Sequence, residues 1–372
     1  MNSSILPGPL STLPWRVLIP LTLLTCFGAM VLYSAAGGSL QPFATNHLLR
    51  YGVFLVMALI MSLFPQNLVR LGAYPAYGAV LILLVLVEAL GAMGGGSQRW
   101  LELGFVRLQP SELMKPVIVL VLAAFYHSLP ASMVGSWRAL IPAGVLIALP
   151  TGLVLMQPDL GTALAIVFGA GVIMFLAGLP MRWFVGAGVA AMVAIPLAFI
   201  FGLKDYQKRR VTTFLDPESD PLGAGYHITQ SKIAIGSGGL DGKGFGNGSQ
   251  SHLNYLPEPH TDFVFATMAE EWGLIGGLLV LLIFGIVLRW GLTVARNAPD
   301  RFSQLLAAGM TATIFFYASI NLMMVMGLAP VVGIPLPWMS HGGSSMMTNM
   351  ICIGTLMMVD RWTKTGNRSN FS

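Results

Sequence analysis

Apolar runs alternate with short polar breaks along almost the whole chain, and their length carries the first prediction. They cover about residues 17–34, 48–64, 73–92, 112–128, 139–156, 160–178, 183–202, 270–290, 303–327 and 343–362. Each approaches the roughly 20 residues that a helix needs to cross a hydrocarbon core. The fifth and sixth runs are separated mainly by Gln157-Pro158-Asp159. The pattern predicts an all-α integral membrane protein of about ten transmembrane helices, forming a single polytopic membrane domain over residues 1–372. One large extracytoplasmic loop, about residues 203–269, lies between helices 7 and 8.

Composition agrees, because a soluble domain carries roughly a quarter charged residues, whereas here they make 9% of 372 and the hydrophobic set makes 55%. Lys and Arg then orient the helices, since short cytoplasmic loops hold the positive excess. With the N-terminus inside, the inner side collects Arg16, Arg70, Arg138, Arg182, Arg289, Arg296, Arg301, Arg361, Lys364 and Arg368. The short outer loops collect only Arg50, Arg99 and Arg107. Ten against three predicts both termini in the cytoplasm and the large loop outside. Topology thereby accounts for the net charge of +5, and no nucleic-acid partner is expected. The N-terminal stretch lacks the charged region and cleavage pattern of a removed signal peptide, so the first helix is expected to stay. Cys26 and Cys352 both lie in apolar segments, which leaves no disulfide framework or Cys-based metal site.

Ionisable groups at membrane depth cost roughly 2.5–3.5 kcal/mol each on insertion scales and tend to face a cavity or a partner. Glu112 and Lys115 stand at i and i+3 on one helical face, where they either neutralise each other or contact a substrate. Asp159 is read as an N-cap of the sixth helix or as the orienter of a site residue. In the large loop, Gly236 to Gly248 contains seven glycines in thirteen residues but neither a Walker A pattern nor a dinucleotide fingerprint. Nucleotide-driven chemistry is therefore not expected. The loop closes on Leu256-Pro257-Glu258-Pro259-His260-Thr261-Asp262-Phe263, where Asp262 is either an ordinary N-cap or a base at the membrane surface. His260 alone does not make a metal site, and most of the 22 methionines are read as packing.

At these motifs the chain resembles the SEDS family of bacterial cell-wall polymerases. The matching stretches are Gln109 to Pro116, Gln157 to Thr162, Tyr206 to Ser237, Pro257 to Ala266, Gly333-Ile334-Pro335-Leu336-Pro337 and Ser340-His341-Gly342-Gly343-Ser344-Ser345. Phe214 to Pro217, Gln230 to Gly236 and Gly242-Lys243-Gly244 are similar to the rod-elongation branch rather than the division branch. His341 stands where the family pattern has tyrosine, and Trp338 where it has an aliphatic residue.

The resemblance implies a peptidoglycan glycosyltransferase that polymerises lipid II on the outer face of the inner membrane during cell elongation. Its implied partners are lipid II and undecaprenyl-diphosphate-linked glycan, a class B penicillin-binding protein that cross-links the product, and other membrane proteins of the rod-elongation complex. The family's essential loop aspartate falls on Asp262, and substrate contacts are implied for Glu112, Lys115, Asp159, Arg210, Lys232, His260 and Ser344. Arg210, Lys115 or a divalent cation, Mg2+ or Mn2+, would stabilise the departing diphosphate. Two competing classes remain at this point: a lipid II flippase and a non-catalytic scaffold. A flippase would place its ionisable groups near the midplane and often shows an internal repeat, whereas the candidates here crowd toward the outer face.

Overall fold

The computed structural model describes residues 13–90, 92–94, 97–103, 106–202, 208, 212–213, 216, 224–253, 255–256 and 258–369. Ten described helices have 17 residues or more, and each coincides with one of the apolar runs. They are α1 (Trp15–Ala35), α2 (Phe43–Met61), α4 (Ala73–Leu90), α5 (Pro110–Ser128), α6 (Trp137–Met156), α7 (Leu160–Leu176), α8 (Met181–Leu197), α11 (Val264–Asn297), α12 (Arg301–Val325) and α13 (Gly343–Ser369). Seven of them are long and apolar enough to cross a membrane by length and composition, and α4 and α7 are shorter apolar helices. The 27 residues of α13 carry more polar side chains, yet at a rise of about 1.5 Å per residue they exceed a hydrocarbon core. Three shorter α-helices, α3 (Gln66–Leu71), α9 (Ala224–Ser237) and α10 (Ser249–His252), are also described, with a 3-10 turn at Ala131–Met133 and a π-helical turn at Ala198–Gly202.

Lipid takes the place of water around such a bundle, so its outer surface is apolar. Ile19, Val53, Val56, Ile82, Val85, Leu149 and Leu282 are exposed. The centre is formed by α5 and α12: α5 packs on α4, α6, α7, α12 and α13, and α12 on α5, α7, α11 and α13. Small residues permit these approaches, as expected where packing rather than a hydrophobic drive joins helices. A Cβ on Gly354 would stand 3.0 Å from the Ala58 backbone, and one on Gly309 would meet Val119 at 2.5 Å. By contrast α8 has no buried residue and sits at the periphery.

Two features were not foreseen. Between α4 and α5 a small antiparallel sheet forms from β1 (Ala92–Gly94), β2 (Ser97–Leu103) and β3 (Val106–Leu108), in the order β1-β2-β3. Its Arg99 donates through Nε to the Gln157 carbonyl at 2.9 Å and through Nη2 to the Pro158 carbonyl, fastening the sheet over the α6–α7 turn. The eighth long helix also begins at Val264 instead of 270 and is broken at Gly273, whose φ of 61 and ψ of −157 are not helical.

The glycine-rich stretch explains that break. Lys243 and Gly244 donate their amides to the Glu270 and Glu271 carbonyls at 3.0 Å each, and Leu274 and Ile275 donate back to Gly239 and Leu240. Backbone thus lies against backbone, and a Cβ on Gly242 would stand 2.1 Å from the Glu271 carbonyl oxygen. The Gly242 φ of +79 also favours glycine. Gly242→Ala is therefore expected to displace the strap and lower the thermal unfolding midpoint in detergent, whereas Gly236→Ala, with open space around it, should leave it unchanged. Equal midpoints for the two variants would contradict this packing.

Candidate active site

The turn that carries Asp262 is built at one end of the bundle, where α11 begins. The N-cap position of α11 is Phe263, and no side chain caps the helix, so the structure decides against the capping role left open for Asp262. Its carboxylate instead faces the segment between α12 and α13: a Cβ on Gly333, which has φ +69, would lie 3.5 Å from Asp262 Oδ2. Asn321, fully buried on α12, donates its Nδ2 to the carbonyls of both Asp262 (2.9 Å) and Ile334 (2.7 Å), so one side chain joins these two segments. Burial, with the nearby Glu258 charge adding, pushes the Asp262 carboxyl up to about 6. A carboxylate so shifted is a stronger base than an ordinary one and is still ionised at neutral pH.

His260 stacks on Phe43 of α2 with ring centroids 4.0 Å apart. Burial lowers its basicity, and Glu258, 3.5 Å away, opposes that shift. The His260 carbonyl accepts from the His341 amide at 2.8 Å, and the Phe43 edge meets the His341 ring at 5.2 Å. Lys232 on α9 approaches the same segment, its Cε and Nζ lying 2.4 Å and 2.8 Å from where a Gly327 Cβ would stand. Ser344 is buried in the first turn of α13. Arg210 lies outside the described residues.

Glu112 and Lys115 form the foreseen pair, with Nζ to Oε1 at 2.6 Å. A partner that sequence reading missed completes it: Tyr317 on α12 donates its hydroxyl to Glu112 and accepts from Lys115 Nζ at 2.8 Å. Asp159 caps α7 by accepting from the Thr162 amide at 3.1 Å and receives Gln109 Nε2 at 3.2 Å. The structure therefore brings Asp262, His260 and the 326–342 segment together. It holds Glu112 and Lys115 in a closed hydrogen-bonded group of their own, and gives Asp159 its structural role.

Tyr317 and Asn321 are polar residues at i and i+4 within an apolar run, a spacing that puts them on one face. That signal was available in the sequence. The buried Glu270 was missed as well; it accepts from Lys243 Nζ (2.6 Å), Ser249 Oγ (3.0 Å) and the Gln250 amide, and so clasps the glycine strap. Among the described residues no group of three or more His, Cys, Asp or Glu could hold a metal ion.

Comparison with known proteins agrees with this architecture. Residues 14–365 match the family model for the FtsW, RodA and SpoVE proteins, described as cell cycle protein. The chain is 43% identical over 359 residues to the peptidoglycan glycosyltransferase MrdB of Escherichia coli K12, covering 96% of this chain and 95% of that protein. It is 38% identical over 287 residues to the stage V sporulation protein E of Bacillus subtilis, covering 76% and 77% respectively. Among solved structures it superposes on a chain of a peptidoglycan synthase complex that coordinates polymerization and crosslinking, with a TM-score of 0.82, 30% identity and coverage of 94% and 98%. The rod shape determining protein RodA of Thermus thermophilus matches with a TM-score of 0.71, 28% identity and coverage of 94% and 97%. With the whole bundle matched and Asp262 placed at its mouth, the chain belongs to the FtsW/RodA/SpoVE family of multi-pass membrane proteins.

Proposed function

We propose that this protein is a peptidoglycan glycosyltransferase that polymerises lipid II on the outer face of the inner membrane, with Asp262 as its general base. The observation that carries the reading is a largely buried, uncapping carboxylate whose basicity is raised and whose backbone is held by Asn321. Family membership and the names of the relatives support the reaction class.

In the reaction, Asp262 takes the proton of the acceptor sugar's 4-hydroxyl as that oxygen attacks the donor's anomeric carbon. The bond from that carbon to the diphosphate oxygen breaks, its electron pair leaves with the diphosphate, and a β-1,4 linkage forms with inversion. A glycosidase needs a second carboxyl group to protonate a poor leaving group, but a diphosphate is already a stable anion, so one base suffices. A dependence on Mg2+ or Mn2+ is tested by chelation followed by re-addition.

A transpeptidase partner of the class B penicillin-binding type fits the resemblance to a synthase complex that couples polymerization with crosslinking. Both termini are assigned to the cytoplasm. In a version with Cys26 and Cys352 replaced by alanine, a cysteine at exposed Asp241 is expected to label from outside and one at Asn367 only after permeabilisation. Labelling of both from one side would overturn the orientation. The function itself is tested by incubating purified lipid II with the purified protein, alone and with the transpeptidase, and resolving glycan strands by length.

A further inference from the structure

Arg50 sits in the first two turns of α2, beside the turn that carries Asp262, and none of the described residues supplies it with an anion. Its Nη1 contacts His341 Nε2 at 3.2 Å, and its guanidinium carbon lies 3.5 Å from where a Gly343 Cβ would stand. Burial, with the Arg50 charge adding, holds the His341 imidazole down to about 4. The ring is thus neutral at physiological pH, and Nε2 accepts the arginine proton without compensating its charge. A partly desolvated cation is costly until an anion meets it.

Two further observations say what that anion is. The guanidinium adjoins the N-terminus of α13, a 27-residue helix, where the first amides have no intrahelical acceptor. In that same turn Ser344 is 6% exposed, and its hydroxyl has no hydrogen-bond partner among the described residues. A planar fork of donors, a helix N-terminus and a hydroxyl together suit a phosphate oxygen cluster. The link to the reacting end is short, because His341 donates its amide to the His260 carbonyl and Phe43 contacts both rings.

We propose that Arg50, held by His341 and backed by the first turn of α13, binds the diphosphate of a polyprenyl-linked sugar on the leaving-group side of Asp262. The proposal rests on the glycosyltransferase reading above and sharpens it, naming a cation in α2 in place of the loop arginine or Lys115. Lys115 is already engaged by Glu112 and Tyr317. As the bond to the anomeric carbon breaks, the electron pair moves onto the diphosphate, and a fixed cation there stabilises the developing charge.

Phosphate chemistry alone does not separate a lipid-linked diphosphate from a soluble one, so the test carries both arms. Farnesyl diphosphate, farnesol and inorganic diphosphate are titrated against full-length protein bearing Asp262→Asn; none of these probes carries a sugar to transfer, so the measurement is independent of the catalytic assignment. Adding Arg50→Gln should weaken farnesyl diphosphate by about ten- to a hundredfold, as for a lost charge-assisted contact. Farnesol should bind as before, and Arg50→Lys should recover part of the affinity. The proposal is overturned if Arg50→Gln binds farnesyl diphosphate within twofold of its parent, or if farnesol weakens in parallel. Inorganic diphosphate binding as tightly as farnesyl diphosphate would also overturn it, by making the site one for soluble anions. Should the glutamine variant fail to fold, Arg50→Lys decides alone: a severalfold loss is expected, and unchanged affinity would refute the assignment. Normal polymerisation by Asp262→Asn would sink the general-base reading and leave this binding result to be judged by itself.

Discussion

Purified Asp262→Asn protein is expected to insert, fold and bind its transpeptidase normally while polymerising lipid II about 10²- to 10⁴-fold more slowly, the range typical of a lost acid-base group. Asparagine keeps the size of the side chain and its approach to Gly333, and the Asn321 bond goes to the backbone carbonyl, which the substitution preserves. Capping cannot confound the result, since the N-cap of α11 is Phe263. What disappears is the oxygen that accepts the proton.

The same carboxylate sets a pH dependence whose sign follows from its raised pKa. The active form is the ionised one, so the rate should fall as pH drops through about 6, well above the ordinary carboxylate range. Measured rates that stay flat from pH 7 down to pH 4.5 would contradict the buried-base geometry. Full polymer yield from the asparagine variant would refute the catalytic role, and a wild type that moves lipid II between leaflets yet makes no polymer would favour the flippase.

The second large effect lies inside the bundle. Lys115→Ala should leave Glu112 buried beside Tyr317 with no cation, and truncating one member of a buried pair costs about 3–5 kcal/mol. The expected outcome is poor accumulation in the membrane and a lowered unfolding midpoint in detergent. Glu112→Ala should do the same by stranding Lys115, which is 1% exposed. Replacing both at once, as Glu112→Gln with Lys115→Met, removes the two charges together and should recover most of the stability, because a neutral pair needs no mutual compensation. A single alanine variant as stable as wild type would show that the pair is not held as the structure has it. Polymerisation by the stable double variant then reports whether these groups also meet substrate.

Much of this protein was legible along the chain. The membrane is an apolar solvent of fixed thickness, so run length alone located the ten long helices. Helical spacing joined Glu112 to Lys115, and the capping preference of aspartate placed Asp159, because both relations span three residues and need no tertiary contact. The family motifs singled out the turn at Asp262.

What the chain could not disclose are the partners that meet only when helices distant in sequence pack. Tyr317 reaches Glu112 from 205 residues away, and Asn321 on α12 ties the turn of Asp262 to the segment of Ile334. The role of Asp262 itself was undecided between cap and base until folding placed Phe263 at the helix start and left the carboxylate only partly exposed. The glycine-rich stretch read only as a loop without a nucleotide motif. Its function as a strap in the broken helix at Gly273 depends on backbones approaching closely enough to exclude any Cβ, a condition set by the tertiary structure. Local spacing determines which residues share a face, whereas burial and charge compensation depend on what the opposite face brings, and only the packed bundle fixes that.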